Sequence, residues 1–240
     1  MTVNRTSFAR TLPLVLQGWL VIAILVSLTG CQSMSLPSVW PFSGERDRTT
    51  YHTPQMRMDA ISQIAAKSTR TDTPDQRQIT DELARQIQIE PDPLVRTTIV
   101  SAVAEFHTPI APQVLRAGLN DDSAAVRIAC CRALGERAEP DSVPRLAQSL
   151  KQDKDLDVRL AAAEALGKIN SPASVTALVA ALDDRDPALQ YVGVQSMKAL
   201  TGKDYGGDVD AWRQLATGQT PTPRADTPTI AERLRSLSPL

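Results

Sequence analysis

An all-α fold, built as a solenoid of about four helix pairs, follows from three features of the sequence. Val95-Arg96, Val126-Arg127 and Val158-Arg159 recur, and Leu189-Gln190 falls in the equivalent place, at separations of 31, 32 and 31 residues. A fixed period of a few tens of residues marks a repeat architecture. Apolar residues after each dipeptide keep helical spacing: Val126, Ala129, Cys130, Ala133 and Leu134 in the second copy, Val158, Ala161, Ala162, Ala165 and Leu166 in the third. That spacing puts five side chains on one helix face. Aromatic residues make up only 4% of the chain, whereas Ala, Leu and Val recur through its middle, which suits closely packed helices.

The first segment is an export signal. A basic stretch with Arg5 and Arg10 precedes an apolar run from Leu12 to Leu28, interrupted by Gln17 and Ser27, the build of a secretory signal peptide. Leu28-Thr29-Gly30-Cys31 closes it and resembles the lipobox of bacterial lipoproteins. The resemblance implies that Cys31 is acylated and becomes the first residue of the mature chain, with residues 1–30 removed. Pro13, Gln17 and the Cys placed at the end of the run argue against an uncleaved membrane anchor. Residues 31–53, rich in Ser, Pro, Thr and charge, read as a flexible spacer reaching ~25 Å from the lipid. Within it Trp40-Pro41-Phe42 fits either lipid headgroups or the folded domain.

The repeats occupy residues 54–215. Met58, Ile61 and Ile64 indicate one helix ahead of the first pair. The first helix of each pair is carried by Ile79/Leu83, Val114/Leu115/Leu119, Val143/Leu146/Leu150 and Val175/Leu178/Leu182. Turn aspartates suit N-caps, and Gly135 and Gly167 suit the left-handed residue that ends a helix. Residues 216–240 are a Thr/Pro-rich linker and a short amphipathic stretch, Ile230 to Leu237, too short to be a stable helix alone.

Val-Arg-x-x-Ala-x-x-Ala-Leu-Gly, met at Val126 to Gly135 and again at Val158 to Gly167, resembles HEAT repeats of the short bacterial, phycobilisome-lyase-like type. The resemblance implies a right-handed α-solenoid of about four HEAT-like pairs with flexible ends. The first copy departs at Val103-Ala104 and the fourth at Leu189-Gln190 and Met197-Lys198, as terminal copies of a solenoid do. The segment from Thr201 to Leu215 resembles a closing segment of bacterial HEAT proteins, with Tyr205 and Trp212 covering the last apolar edge.

Candidate chemistry is sparse. His52 and His107 have no nucleophile or metal-ligand partner at a telling spacing. Asp153, Asp155, Asp157 and Glu164 match four positions of an EF-hand count, but Val158 replaces the Gly required for its sharp turn, so they read as an acidic turn and helix cap. Arg96, Arg127 and Arg159 read as partners of turn aspartates in their own or the next repeat rather than as a binding ladder. Cys130 and Cys131 read as small packed thiols.

One row resists a purely structural account. Thr97, Ile128, Leu160 and Tyr191 recur in register, flanked by Val100, Cys131, Ala163 and Val194, and read either as a partner-binding surface or as packing between repeats or against the C-terminal stretch. A net charge of -1 gives no reason to expect nucleic acid. The expectation is a membrane-tethered, non-catalytic scaffold or adaptor for another protein of the cell envelope. No cofactor, metal or small-molecule substrate is expected. The chain faces the periplasm, and Gln32 after Cys31 favours the outer membrane. A bilin-lyase-like activity, implied by the resemblance alone, and a static structural subunit are the alternatives.

Overall fold

The computed structural model describes residues 53–221. They form ten α-helices and one 3-10 turn, with no strand among the described residues. The helices are α1 (Pro54–Ala65), α2 (Pro74–Ile89), α3 (Pro93–Glu105), α4 (Ala111–Gly118), α5 (Ala124–Arg137), α6 (Val143–Gln152), α7 (Leu156–Lys168), α8 (Pro172–Leu182), α9 (Pro187–Thr201) and α10 (Val209–Ala216). Pairs α2/α3, α4/α5, α6/α7 and α8/α9 are the four repeats, so the chain is an α-solenoid.

Seven of the ten described helix starts follow one local rule, while α4, α5 and α6 begin without a side-chain cap. Thr53, Thr73, Asp92, Asp155, Ser171, Asp186 and Asp208 each accept a backbone N–H with the side chain, satisfying a donor that the helix leaves unpaired. Five of them are followed by Pro, whose fixed φ suits the first helical position and whose missing N–H costs nothing there.

The second helices α3, α5, α7 and α9 stack directly on one another, and α1 packs on α3 at the head of that layer. Their cores coincide: Val95, Ile99 and Val103, then Val126, Cys130 and Leu134, then Val158, Ala162 and Leu166, are all fully buried. Volume is shared across the second and fourth pairs. Gly118 on α4 faces Cys130 on α5, whereas in the fourth pair Ala181 on α8 faces Gly193 on α9.

The expected C-cap role of Gly135 and Gly167 is not what the structure shows. Both lie within helices, and α5 ends on Ala138 in the left-handed conformation (φ 51°). The two glycines are instead sites of close helix approach. A Cβ on Gly135 would fall 2.7 Å from the Cα of Ala165, and one on Gly167 2.6 Å from the Cβ of Ser196. Gly202, ending α9 at φ 67°, does use the left-handed freedom of glycine.

The far end closes on α10. Trp212 is fully buried, donates Nε1–H to the carbonyl of Gly206 (3.1 Å) and meets Tyr205 edge-on at 5.0 Å between ring centroids. Arg213 bonds Asp183 at 2.7 Å, fixing α10 to the end of α8.

Candidate functional site: the second-helix layer

The periodic arginines join each repeat to the next. Arg96 makes a forked pair with Asp121 (2.9 and 2.7 Å) and donates to the carbonyls of Glu90 and Pro91 in its own turn. Arg127 repeats this one repeat on, with Asp153 (2.7 and 2.8 Å) and the carbonyls of Asp121 and Asp122. A planar guanidinium can serve both partners at once, which an ammonium cannot. Each acid also accepts a backbone N–H two residues on, from Ser123 and Asp155. Burial alone would raise both carboxyls, but the guanidiniums and these N–H groups outweigh it and hold Asp121 and Asp153 below the ordinary carboxylate range.

The relay has ends that the sequence reading missed. Arg57 of α1 makes the same forked contact with Glu90 (3.0 and 2.9 Å), and Glu90 stands 31 residues before Asp121. Aligning turn acids rather than Val-Arg dipeptides would have found it. At the other end Arg159 reaches Asp184 at 3.7 Å, with its Nε unpartnered. Gln190 occupies the last arginine position and keeps only the carbonyl half of the contact, with Asp184 (2.8 Å). Among the described residues no fifth turn acid follows to meet a charge there. Asp92, the turn aspartate of Arg96's own repeat, caps α3 instead of pairing with Arg96.

The structure divides the row Thr97, Ile128, Leu160 and Tyr191. The first three are half-buried, while Tyr191 is 65% exposed. Seven residues beyond Ile128 and Leu160, on the same face, lie Gly135 and Gly167, which touch the next second helix. The flanking Val100, Cys131, Ala163 and Val194 are buried. This face therefore turns towards the following repeat, and Tyr191 is open where, among the described residues, no second helix follows α9. Four residues further along each helix come Ser101, Arg132, Glu164 and Gln195, all exposed. They form the solvent side of the second-helix layer, with the half-buried aliphatics along its margin.

The remaining candidates resolve locally. Asp153 pairs with Arg127, Asp155 caps α7, and Asp157 lies in its first turn. Among the described residues no group of His, Cys, Asp or Glu could hold a metal ion. Cys130 and Cys131 are free and fully buried, and burial pushes the Cys131 thiol up to about 12. His107 is exposed, its Nδ1 3.4 Å from the carbonyl of Glu105. The grooves are open and polar. One of about 390 Å3 between α2 and α4 includes Glu90, Arg96 and Asp121, groups already engaged in the relay. Among the described residues no helix is long and apolar enough to cross a membrane. Cys31, His52, Trp40-Pro41-Phe42, the stretch Ile230 to Leu237 and residues 31–52 and 222–240 of the two segments expected to be flexible lie outside the described residues, whereas Thr53 caps α1 and Ala216 ends α10.

Residues 113–198, from α4 through most of α9, match the HEAT-repeat family. No curated protein matches the chain in sequence. Human deoxyhypusine hydroxylase in complex with glycerol is similar at 28% identity and TM-score 0.48, over 52% of this chain and 44% of that one. This chain thus matches less than half the length of the hydroxylase. The complex of CpcE and CpcF of phycocyanin lyase from Nostoc sp. PCC7120 is similar at 18% identity and TM-score 0.47, over 76% of this chain and 80% of that one. The HEAT-repeat match covers residues 113–198, and the solenoid architecture stands on the helix pairing.

Proposed function

We propose that this protein is a non-catalytic scaffold or adaptor of the cell envelope, tethered by lipid on Cys31 and holding another protein against its second-helix layer. The observation that carries the reading is the register of that layer. Ser101, Arg132, Glu164 and Gln195 repeat on its solvent side with Thr97, Ile128 and Leu160 along the margin, an extended polar and apolar surface of the kind solenoids use for partners. The periodic arginines and acids hold repeats together rather than converging on a reacting group. The lipobox Leu28-Thr29-Gly30-Cys31 supports export and a membrane tether facing the periplasm, and Gln32 supports the outer membrane.

Crosslinking in intact cells followed by purification of the full-length protein tests the reading. A defined protein partner in fixed ratio is the expected result. An absorbing pigment bound in place of a protein would support the bilin-lyase alternative, and recovery of the protein alone would overturn the scaffold reading.

A further inference from the structure

The joint between the third and fourth repeats differs from those before it. Arg57, Arg96 and Arg127 each fork onto the next turn acid at 2.7–3.0 Å. Arg96 and Arg127 also hold two carbonyls of their own turn. Arg159 stands in the same register, but it approaches Asp184 only to 3.7 Å and its Nε is buried without a partner. A guanidinium so placed has given up water without completing its hydrogen bonds, so it holds the fourth repeat weakly.

Eight residues further along α7 the two repeats touch closely. A Cβ on Gly167 would fall 2.6 Å from the Cβ of Ser196, and Ser196 Oγ donates to the carbonyl of Ala163 at 3.0 Å. That contact lies ~12 Å from Arg159 along the helix axis. Beyond it, the last three helices are locked to one another. A Cβ on Gly193 of α9 would fall 2.8 Å from the Cβ of Ala181 on α8, and Arg213 of α10 donates to the Asp183 carboxylate (2.7 Å) and the Leu182 carbonyl (3.3 Å).

We infer that α8, α9 and α10 form one rigid end unit that swings on the rest of the solenoid, with its pivot at Gly167 and Ser196 and its opening at Arg159 and Asp184. The completed joints are about 1 Å shorter than this one, so closing it takes a rotation of about 5° over the ~12 Å lever. The swing moves Tyr191 and Gln195 relative to Leu160 and Glu164 and so sets the curvature of the second-helix layer. It is a hinge at a repeat boundary, of the kind that needs few broken contacts. The inference does not depend on the scaffold reading.

The first joint shows how the hinge can be locked. Glu90 forks onto Arg57 and still accepts the Asp92 N–H (3.0 Å), as Asp184 accepts the Asp186 N–H (2.9 Å). Asp184→Glu therefore adds a methylene of reach towards Arg159 in a turn of a type that already holds glutamate.

Spin-label distances in the purified full-length protein test the hinge. Ser101→Cys with Glu164→Cys, and Arg132→Cys with Gln195→Cys, place labels on one exposed register, each pair spanning two joints at ~20 Å. Cys130 and Cys131 are fully buried and stay unlabelled, and Cys31→Ser removes the remaining thiol. The pair at 132 and 195, which crosses the Arg159 joint, should give a distance distribution about twofold broader than the pair at 101 and 164. Asp184→Glu should narrow it to the width of the other pair. Arg159→Gln should leave both widths unchanged, whereas Arg127→Gln should broaden the pair at 101 and 164. Equal widths in the native protein, an undiminished width in folded Asp184→Glu, or broadening by Arg159→Gln as large as that by Arg127→Gln would each overturn the inference. Should Asp184→Glu fail to fold, the comparison of Arg159→Gln with Arg127→Gln decides.

Discussion

Arg127 on α5 and Asp153 in the turn before α7 are 26 residues apart in sequence and share two hydrogen bonds of 2.7 and 2.8 Å. Their side chains are 7% and 9% exposed. Removing one partner strands the other with little access to water, so Arg127→Ala should cost about 3 kcal/mol. Arg127→Lys should recover only part of this, because a point charge cannot serve the carboxylate and two carbonyls together. Denaturant midpoints check both. A loss below about 0.5 kcal/mol for Arg127→Ala, the range of an exposed pair, would refute the role given to this contact.

The same contacts set the response to acid. Asp121 and Asp153 have lowered pKa values in the fold and titrate near ~3.9 when unfolded. A depressed carboxylate contributes stability that is complete above its unfolded pKa and is lost as pH falls through the folded one. The thermal midpoint should therefore hold from neutrality to about pH 5 and fall below about pH 4. Asp121→Asn combined with Asp153→Asn should lower the neutral midpoint and flatten the acid decline. An unchanged decline in the double variant would assign acid sensitivity to other groups.

Helix contact at the glycines is equally testable. Gly135→Ala improves helix propensity by ~1 kcal/mol but drives a methyl into the backbone of Ala165. Overpacking should win, giving a net loss of about 1–3 kcal/mol, and Ala165→Leu should lose at least as much from the other side. A stabilised Gly135→Ala protein would show that α5 and α7 are further apart than described.

Period and core were legible in the sequence because both depend on local spacing. Val126 to Leu134 and Val158 to Leu166 keep their helical stripe without reference to anything distant, and their core positions are buried. The Arg-to-acid partnership was legible in kind, since a half-buried guanidinium requires a carboxylate, but the choice of the next repeat over the same one was not. That choice depends on the rise between repeats. The orientation of the Ile128 and Leu160 row was hidden for a related reason. A helical wheel separates inside from outside, but it does not show which outer face the neighbouring helix covers until packing is known. Gly135 and Gly167 misled as C-caps because a glycine late in a helix has the same signature whether it ends the helix or admits a neighbour.

The proposed lipid tether is tested at Cys31. Labelled palmitate should enter the native protein, while Cys31→Ser should remain an unprocessed, unlabelled precursor; two or more acyl chains on one residue suffice for stable anchoring. A Cys31→Ser protein that is still cleaved and still sediments with membranes would end the lipoprotein reading.

The partner surface is the central claim, and charge reversal on its solvent side tests it most directly. Arg132→Glu combined with Glu164→Arg alters two exposed residues and should leave the unfolding free energy within about 0.5 kcal/mol of native. Gln148→Arg with Lys151→Glu, on exposed positions of α6, makes a similar change on the first-helix layer. In crosslinking from intact cells, the α5/α7 variant should lose its protein partner while the α6 variant keeps it. Equal capture by both variants, or loss only in the α6 variant, would contradict the assignment of the second-helix layer as the binding face.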